Sequence, residues 1–211
     1  MKTDDLISML AQENQAEVPA MRPLPISTLV ALAVSAALLL LLWGIRPDYT
    51  EVIGDPLVMT KNLLPLLTAL PCLWLVARAR RPENQPGHGV RWLWAPLALI
   101  ALLVVATLVS TPLASWISTI RGQTLVSCLL SIPILATPIL AALLWAMRSG
   151  ASTRPALAGG LAGLAAGCLA TSVYALHCFE DSPAFYGIWY TSAILLVGLA
   201  GRLIGKRVLS W

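Results

Sequence analysis

Long apolar runs, separated by short polar segments, fill the chain after its first 25 residues. A helix needs about 20 apolar residues to cross the hydrocarbon layer of a bilayer, and six segments reach that length. The pattern therefore predicts an all-α membrane protein with six transmembrane helices, in which 1–25 is a cytoplasmic segment and 26–211 is the membrane domain. The predicted helices are 26–45, 57–77, 92–110, 124–147, 155–177 and 182–205.

Composition supports this prediction and excludes a soluble globular protein. Of the 211 residues, 58% are hydrophobic and 11% are charged, which is too little polar surface to cover a soluble domain. The net charge of +4 does not require a nucleic-acid partner, because basic residues at a membrane surface attract anionic lipid headgroups. We therefore expect membrane lipid, and no nucleic acid, in direct contact with the chain.

Arginine and lysine residues give the predicted orientation. They cluster in the amino-terminal segment, between the second and third helices, between the fourth and fifth, and after residue 201. The opposite loops carry only Arg46 and Arg121, while Lys61 lies one turn inside the second helix and is expected to extend its amine to the outer interface. Because cytoplasmic loops carry the excess of basic residues, both termini are predicted to be cytoplasmic, in a multi-pass protein of the bacterial inner membrane.

The fifth predicted helix carries a face of small residues. Gly159, Gly163 and Gly167 recur at every fourth position, a spacing that lets two helix backbones approach closely in a membrane. This face predicts tight helix packing, and we expect it to serve as the contact surface of any homodimer.

The stretch LHCFEDSP, from Leu176 to Pro183, is a polar cluster at the predicted outer surface. Each residue has an ordinary structural interpretation: Asp181 or Ser182 would cap the sixth helix, with Pro183 at its first position. His177 would interact with the last carbonyls of the fifth helix.

Cys128 gives the cluster a second interpretation. At about 1.5 Å per residue, Cys128 and Cys178 lie within about one helical turn of the same height in neighbouring antiparallel helices. They could therefore meet, either as a disulfide or as thiolate ligands of a heavy-metal ion that takes His177 as a third ligand. The other two cysteines, Cys72 and Cys168, are expected to be packing residues.

The amino-terminal segment contains a short amphipathic pattern, TDDLISML. Two acidic residues fall in the first turn of a predicted helix, where negative charge is favourable, and three apolar residues share one face. The segment is either a solvated tail or a helix that docks its apolar face into the groove of a partner protein. The residues concerned are Asp4, Asp5, Leu6, Ile7 and Leu10.

Taken together, TDDLISML, the six apolar segments, Cys128 and the carboxyl-terminal block from LHCFEDSPAFYGIWY to GRLIGKRVLSW resemble the NrsF family, the bacterial inner-membrane negative regulators of sigma factor F. The resemblance implies that the amino-terminal residues named above bind an extracytoplasmic-function sigma factor. It also implies that Cys128 and Cys178 are paired cysteines that sense heavy-metal or oxidative stress. A regulatory metal ion is then the only ligand expected, with no obligatory cofactor and no enzymatic activity.

Three alternative functions differ in their requirements. A small-molecule or ion transporter or channel is disfavoured because charged residues occur inside the predicted helices only near their ends, as Lys61 and Arg202 do. A membrane thiol oxidoreductase would need a quinone or similar cofactor, and the chain has no CxxC motif. A scaffold that retains a sigma factor without sensing stress would not need its cysteines.

Overall fold

The computed structural model describes residues 3, 7, 22–81 and 87–210, and this part of the chain contains helices and no strand. Six helices are long and apolar enough to cross a membrane, alone or with adjoining helical turns. They are α1 (Leu24–Leu42), α2 (Pro56–Ala79), α3 (Trp94–Ser110), α4 (Leu125–Met147), α5 (Pro155–Tyr174) and α6 (Pro183–Val208). Shorter helical segments lie at Tyr49–Val52, Gly87–Leu93, Leu113–Ser115 and Trp116–Arg121.

Local sequence signals explain where the helices begin and end. Prolines occupy the first turn of α1, α2, α5 and α6, where the missing N–H would have no intrahelical partner. Asp55 caps α2 by accepting a hydrogen bond of 2.7 Å from the Leu57 N–H. Gly44, with a φ of 75°, follows the end of α1, so this helix ends before the predicted residue 45. Helix α5 ends at Tyr174 rather than at His177.

Helix α5 is the centre of the bundle. It is the most buried of the six helices and packs against α2, α4 and α6. Helix α1 packs mainly on α4, whereas α3 packs on α6 and has only one buried residue, Ile100. The core therefore lies around α5, and α3 forms an outer wall.

The glycine face of α5 packs against α6 of the same chain. A Cβ atom at Gly159 would lie 2.3 Å from the Gly201 carbonyl oxygen, and one at Gly163 would lie 2.4 Å from that of Val197. The tight packing predicted for this face is therefore present, but its expected use as a dimer surface is wrong, because α6 already covers it.

The helix ends gather into two groups. At one end, which we call the arginine end, the Arg22 N–H donates to Ser149 Oγ at 3.0 Å and Arg80 donates to the same oxygen at 3.1 Å. These contacts join the start of α1 to the ends of α2 and α4. At the opposite end, which we call the cysteine end, the Arg46 N–H donates to the Leu176 carbonyl at 3.1 Å. Helix α1 thus runs from one group to the other.

Candidate functional site

Cys178 lies in the loop between α5 and α6, at the cysteine end, and is almost fully buried. Its Sγ lies 4.0 Å from Thr124 Oγ1, and the Thr124 carbonyl accepts a hydrogen bond from the Cys128 N–H at 2.9 Å. Cys128 is also buried, one helical turn along α4 from Thr124. Both are free cysteines in this structure. The fold therefore places Cys178 beside the first turn of α4, and pairing by a disulfide or a metal stays a prediction.

The contacts of His177 are with the end of α1 and with two aromatic rings. Its Nδ1 lies 3.1 Å from the Gly44 carbonyl oxygen, and its ring packs at a tilt against Tyr174 and edge-on against Phe179. Across residues 22–81 and 87–210, no group of three or more His, Cys, Asp or Glu side chains is arranged to hold a metal ion. The structure thus does not bring the three predicted ligands together, and metal binding by the two cysteines remains a prediction.

Lys61 lies beneath the Cys178 loop and has no exposed surface. Its Nζ lies 2.5 Å from Asp181 Oδ1 and donates to the Cys178 carbonyl at 2.8 Å. The side chain therefore extends toward the cysteine end, as expected, but its amine is buried beneath the loop rather than exposed at an interface. A buried ammonium must be paired and hydrogen-bonded to persist, and the loop provides both kinds of partner.

Arg46 holds the same loop from the side of α1. It is 5% exposed and donates to both Asp181 oxygens, at 2.9 and 3.0 Å. It also donates to Asp48 at 2.8 Å and to the Cys178 carbonyl at 3.3 Å. The hydrogen bonds to Asp48, followed by those to Asp181, raise the pKa of Arg46, and the hydrogen bonds from Arg46 lower the pKa of Asp48. We call Arg46, Asp48, Lys61 and Asp181 the loop network.

The acidic residues of the polar cluster have tertiary partners rather than capping roles. Asp181 pairs with the two cations, and Ser182 takes the N-cap position of α6 without a side-chain capping hydrogen bond. Glu180 accepts a hydrogen bond of 2.7 Å from the Gln123 N–H, which ties the loop to the segment before α4. Of the two predicted cap residues, Ser182 therefore occupies the N-cap position with Pro183 at the first helical position, whereas the Asp181 carboxylate is engaged by Lys61 and Arg46.

Sequence reasoning missed the roles of Arg46 and Lys61 in this site. A signal for Lys61 was present, since an ionisable residue within a membrane helix usually pairs with another polar group. No comparable signal marked Arg46, because its partners at positions 178 and 181 are distant in sequence. Sequence reasoning also treated Cys72 and Cys168 separately, whereas their thiols face each other between α2 and α5.

The predicted partner-binding residues fall largely outside the described residues. Ile7 is helical and 58% exposed, so its side chain is accessible. Asp4, Asp5, Leu6 and Leu10 lie outside the described part of the chain.

The similarity of the chain to known proteins includes both the candidate site and the six long helices. The family model described as Negative regulator of sigma F matches residues 10–211. The chain belongs to the NrsF family. The resemblance predicted from the sequence is thereby confirmed, and the matched region includes both cysteines and the loop network but begins after most of the predicted binding residues.

Two full-length relatives of this NrsF family member are named as anti-sigma factors. The chain is 32% identical over 216 residues to the anti-sigma-F factor NrsF of Caulobacter vibrioides (strain NA1000 / CB15N), and 100% of both chains is covered. It is 36% identical over 217 residues to the probable anti-sigma-F factor NrsF of Azospira oryzae (strain ATCC BAA-33 / DSM 13638 / PS), again over 100% of both chains. No solved structure matches the chain. The family is regulatory.

Proposed function

We propose that the chain is an inner-membrane anti-sigma factor that retains an extracytoplasmic-function sigma factor through its amino-terminal segment and releases it on heavy-metal or oxidative stress. The full-length similarity to two proteins named as anti-sigma-F factors carries this proposal. The six helices of membrane-crossing length support a membrane location.

The two ends of the bundle support the proposed orientation, with both termini in the cytoplasm. The arginine end contains Arg22, Arg78, Arg80 and Arg148, and an excess of such residues is typical of the cytoplasmic side. The cysteine end then faces the periplasm, where thiols can be oxidised. In this orientation the proposed stress-sensing cysteines and the proposed sigma-binding segment lie on opposite sides of the membrane.

The proposed sigma-binding residues are Asp4, Asp5, Leu6, Ile7 and Leu10. Their acidic and apolar side chains suit a partner surface with an apolar groove and basic borders. A sigma factor uses basic surface to approach DNA, since phosphate contacts dominate nucleic-acid affinity. An acidic segment bound over such a surface would keep the sigma factor from DNA.

The proposed stress-sensing residues are Cys128 and Cys178. Metal binding or disulfide formation between them would pull the Cys178 loop toward α4. That loop contacts the end of α1 through the Arg46 N–H and through His177 at Gly44, and α1 begins directly after the proposed sigma-binding segment. The stimulus can shift this equilibrium only if it stabilises one arrangement of α1 more than the other.

Sigma retention is tested by co-purification from gently solubilised membranes. We compare the full chain with a form that lacks residues 1–19, and the double variant Asp4→Asn/Asp5→Asn with the matched control Glu13→Gln/Glu17→Gln. A sigma factor should be recovered with the full chain and with the control, and its recovery should fall with the other two. Equal recovery of a sigma factor with all four forms would contradict the proposed binding segment.

Stress sensing is tested by titrating the complex with Cd²⁺ and measuring the sigma factor released. Cys128→Ser and Cys178→Ser should each abolish the response. Cys72→Ser and Cys168→Ser are matched controls, because they also replace buried thiols but lie outside the loop and the first turn of α4. Release that is unchanged in Cys128→Ser and Cys178→Ser would refute the sensing role while leaving sigma retention intact.

A further inference from the structure

An apolar cavity of about 180 Å³ lies between α2, α3, α5 and α6. Its walls are mainly leucine, isoleucine and proline side chains, including Leu64, Pro96 and Ile100. A protein cavity of about 150 Å³ is large enough to hold a benzene ring. The cavity therefore has room for one planar ring of comparable size.

Two thiols that take no part in the proposed stress-sensing site line this cavity. Cys72 on α2 and Cys168 on α5 are each 1% exposed, and their side chains are in contact with each other. They belong to helices that pack together in the core of the bundle. The pair can therefore reach a molecule in the cavity without contact with the aqueous phase.

Two tyrosines line the same cavity, and the hydroxyl of one of them has no hydrogen-bond partner in the described part of the chain. Tyr186 and Tyr190 are 2% and 3% exposed; the Tyr190 hydroxyl lies beside the Cys178 thiol, whereas the Tyr186 hydroxyl makes no hydrogen bond. A buried hydroxyl without a partner costs free energy. A ligand with carbonyl oxygens would provide the missing acceptor.

The surroundings of the cavity select for uncharged, lipid-soluble molecules. Its outer wall is α3, the least buried of the six helices, and Leu97 of that wall is 42% exposed on the bundle surface. In a membrane this surface meets lipid. Hydrated ions are excluded, because transfer of an unpaired charge into an apolar site is very unfavourable.

We propose that this cavity binds a quinone from the lipid phase and that Cys72 and Cys168 reduce it. The two S–H bonds break and an S–S bond forms between the cysteines. The two electrons and two protons pass to the quinone, whose two carbonyl oxygens become the hydroxyls of a hydroquinone. The reaction occurs once per chain and joins α2 to α5 covalently.

The test uses the full chain in lipid nanodiscs, with Cys128→Ser and Cys178→Ser so that only the cavity thiols remain. Decylubiquinone is the probe, because its fully substituted ring favours oxidation over addition to the thiol. Intact mass should fall by two hydrogen atoms, and peptide mapping should identify a disulfide between Cys72 and Cys168. A membrane-impermeant oxidant, oxidised glutathione, should leave the pair reduced.

Two variants separate cavity binding from general thiol reactivity. Leu97→Trp fills the cavity and should slow the oxidation, whereas Leu99→Trp, on the same helix but outside the cavity, should not. Tyr186→Phe should slow it about fivefold, the factor expected for one hydrogen bond of ordinary net strength.

No disulfide with decylubiquinone, or equal rates in Leu97→Trp, Leu99→Trp and Tyr186→Phe, would overturn the proposal. Neither result depends on sigma binding.

Discussion

Lys61 shows how one residue can organise a buried site. Its ammonium has no contact with solvent, and its partners are the Asp181 carboxylate and the Cys178 and Glu180 carbonyls. Asp181 has a second cation, Arg46, whereas Lys61 has no other ion pair among the described residues. Asp181 therefore keeps a counter-ion if Lys61 is replaced, whereas Lys61 is left without one if Asp181 is replaced.

This asymmetry predicts unequal effects of two substitutions. Asp181→Asn leaves the Lys61 charge buried without a counter-ion and should lower the free energy of unfolding by about 3 kcal/mol, the lower end of the range for such a loss, because the Asp181 side chain is 29% exposed. Lys61→Met should cost about 1 kcal/mol, since Asp181 retains a charge-assisted bond with Arg46. The measurement is loss of folded monomer on heating in detergent, followed by size-exclusion chromatography.

The double variant Lys61→Met/Asp181→Asn is the decisive comparison. It removes the uncompensated charge and should be more stable than Asp181→Asn alone. If the effects of the two substitutions simply add, the pair is not energetically coupled and the structural argument fails.

Asp48 gives the loop network a dependence on pH. Hydrogen bonds from Arg46 lower the pKa of Asp48, so the folded state binds fewer protons here than the unfolded state near the ordinary carboxyl pKa of about 3.9. The stabilisation is therefore present above that value and is lost as the pH falls through the lower, folded pKa. Between about pH 5 and about pH 3, the unmodified chain should lose more stability than Asp48→Asn. Glu51→Gln, an exposed carboxylate in the same segment, should behave like the unmodified chain in the same melting experiment.

The sequence predicted the positions of the helices much better than it predicted the contacts of the candidate site. Each predicted segment contains a helix, because long apolar runs and prolines at helix starts are local signals. The end of α1 was placed too late because Gly44 adopts a positive φ, which apolar composition does not reveal. The loop network was not predictable in detail, because Arg46 and Asp181 are separated by 135 residues and meet only through the packing of the helices.

The contact between α5 and α6 predicts a sharp difference between two glycines of α5, Gly163 and Gly160. Gly163→Ala places a Cβ 2.4 Å from the Val197 carbonyl oxygen and 2.8 Å from the Gly198 Cα. These atoms belong to the backbone and cannot rotate away, so the helices must separate, at a cost of about 1–3 kcal/mol.

Gly160→Ala is the matched control on the same helix. Its nearest neighbour, the Arg202 Cβ, would be 3.6 Å away, which is ordinary contact. Alanine also favours a helix over glycine by up to about 1 kcal/mol, so this variant should be as stable as the unmodified chain or slightly more stable. Thermal unfolding in detergent compares the two. Equal destabilisation would show that the effect comes from the loss of glycine rather than from the close contact.

At the scale of the whole molecule, α1 is the only described helix that joins the proposed periplasmic site to the end of the proposed sigma-binding segment. Its end contacts the Cys178 loop through Arg46, and its start follows Arg22. The Ser35 hydroxyl, near the middle of α1, donates to the Leu135 carbonyl of α4 at 2.8 Å. Movement of the loop relative to α4 therefore has a continuous path along α1 to the arginine end.

Arg22 fixes the start of α1 at the arginine end. Its guanidinium donates to the Trp145 carbonyl at 2.9 Å and lies 4.3 Å from the Trp145 ring centroid. Arg22→Ala removes both contacts, about 1 kcal/mol for the hydrogen bond and about 0.5–1 kcal/mol for the cation–π contact. We propose that these contacts stabilise the sigma-retaining arrangement. Their loss should then lower the Cd²⁺ concentration for half-maximal sigma release by about tenfold, the factor that 1.4 kcal/mol produces.

Arg81→Ala is the matched control, because Arg81 is an exposed arginine at the same end of the bundle. It removes the same charge but neither of the Arg22 contacts, so its half-maximal Cd²⁺ concentration should equal that of the unmodified complex. If Arg22→Ala and Arg81→Ala shift the titration alike, the effect arises from net charge near the sigma factor and not from the anchor of α1. If neither shifts it, the signal does not pass through the start of α1, although the cysteines could still be the residues that receive it.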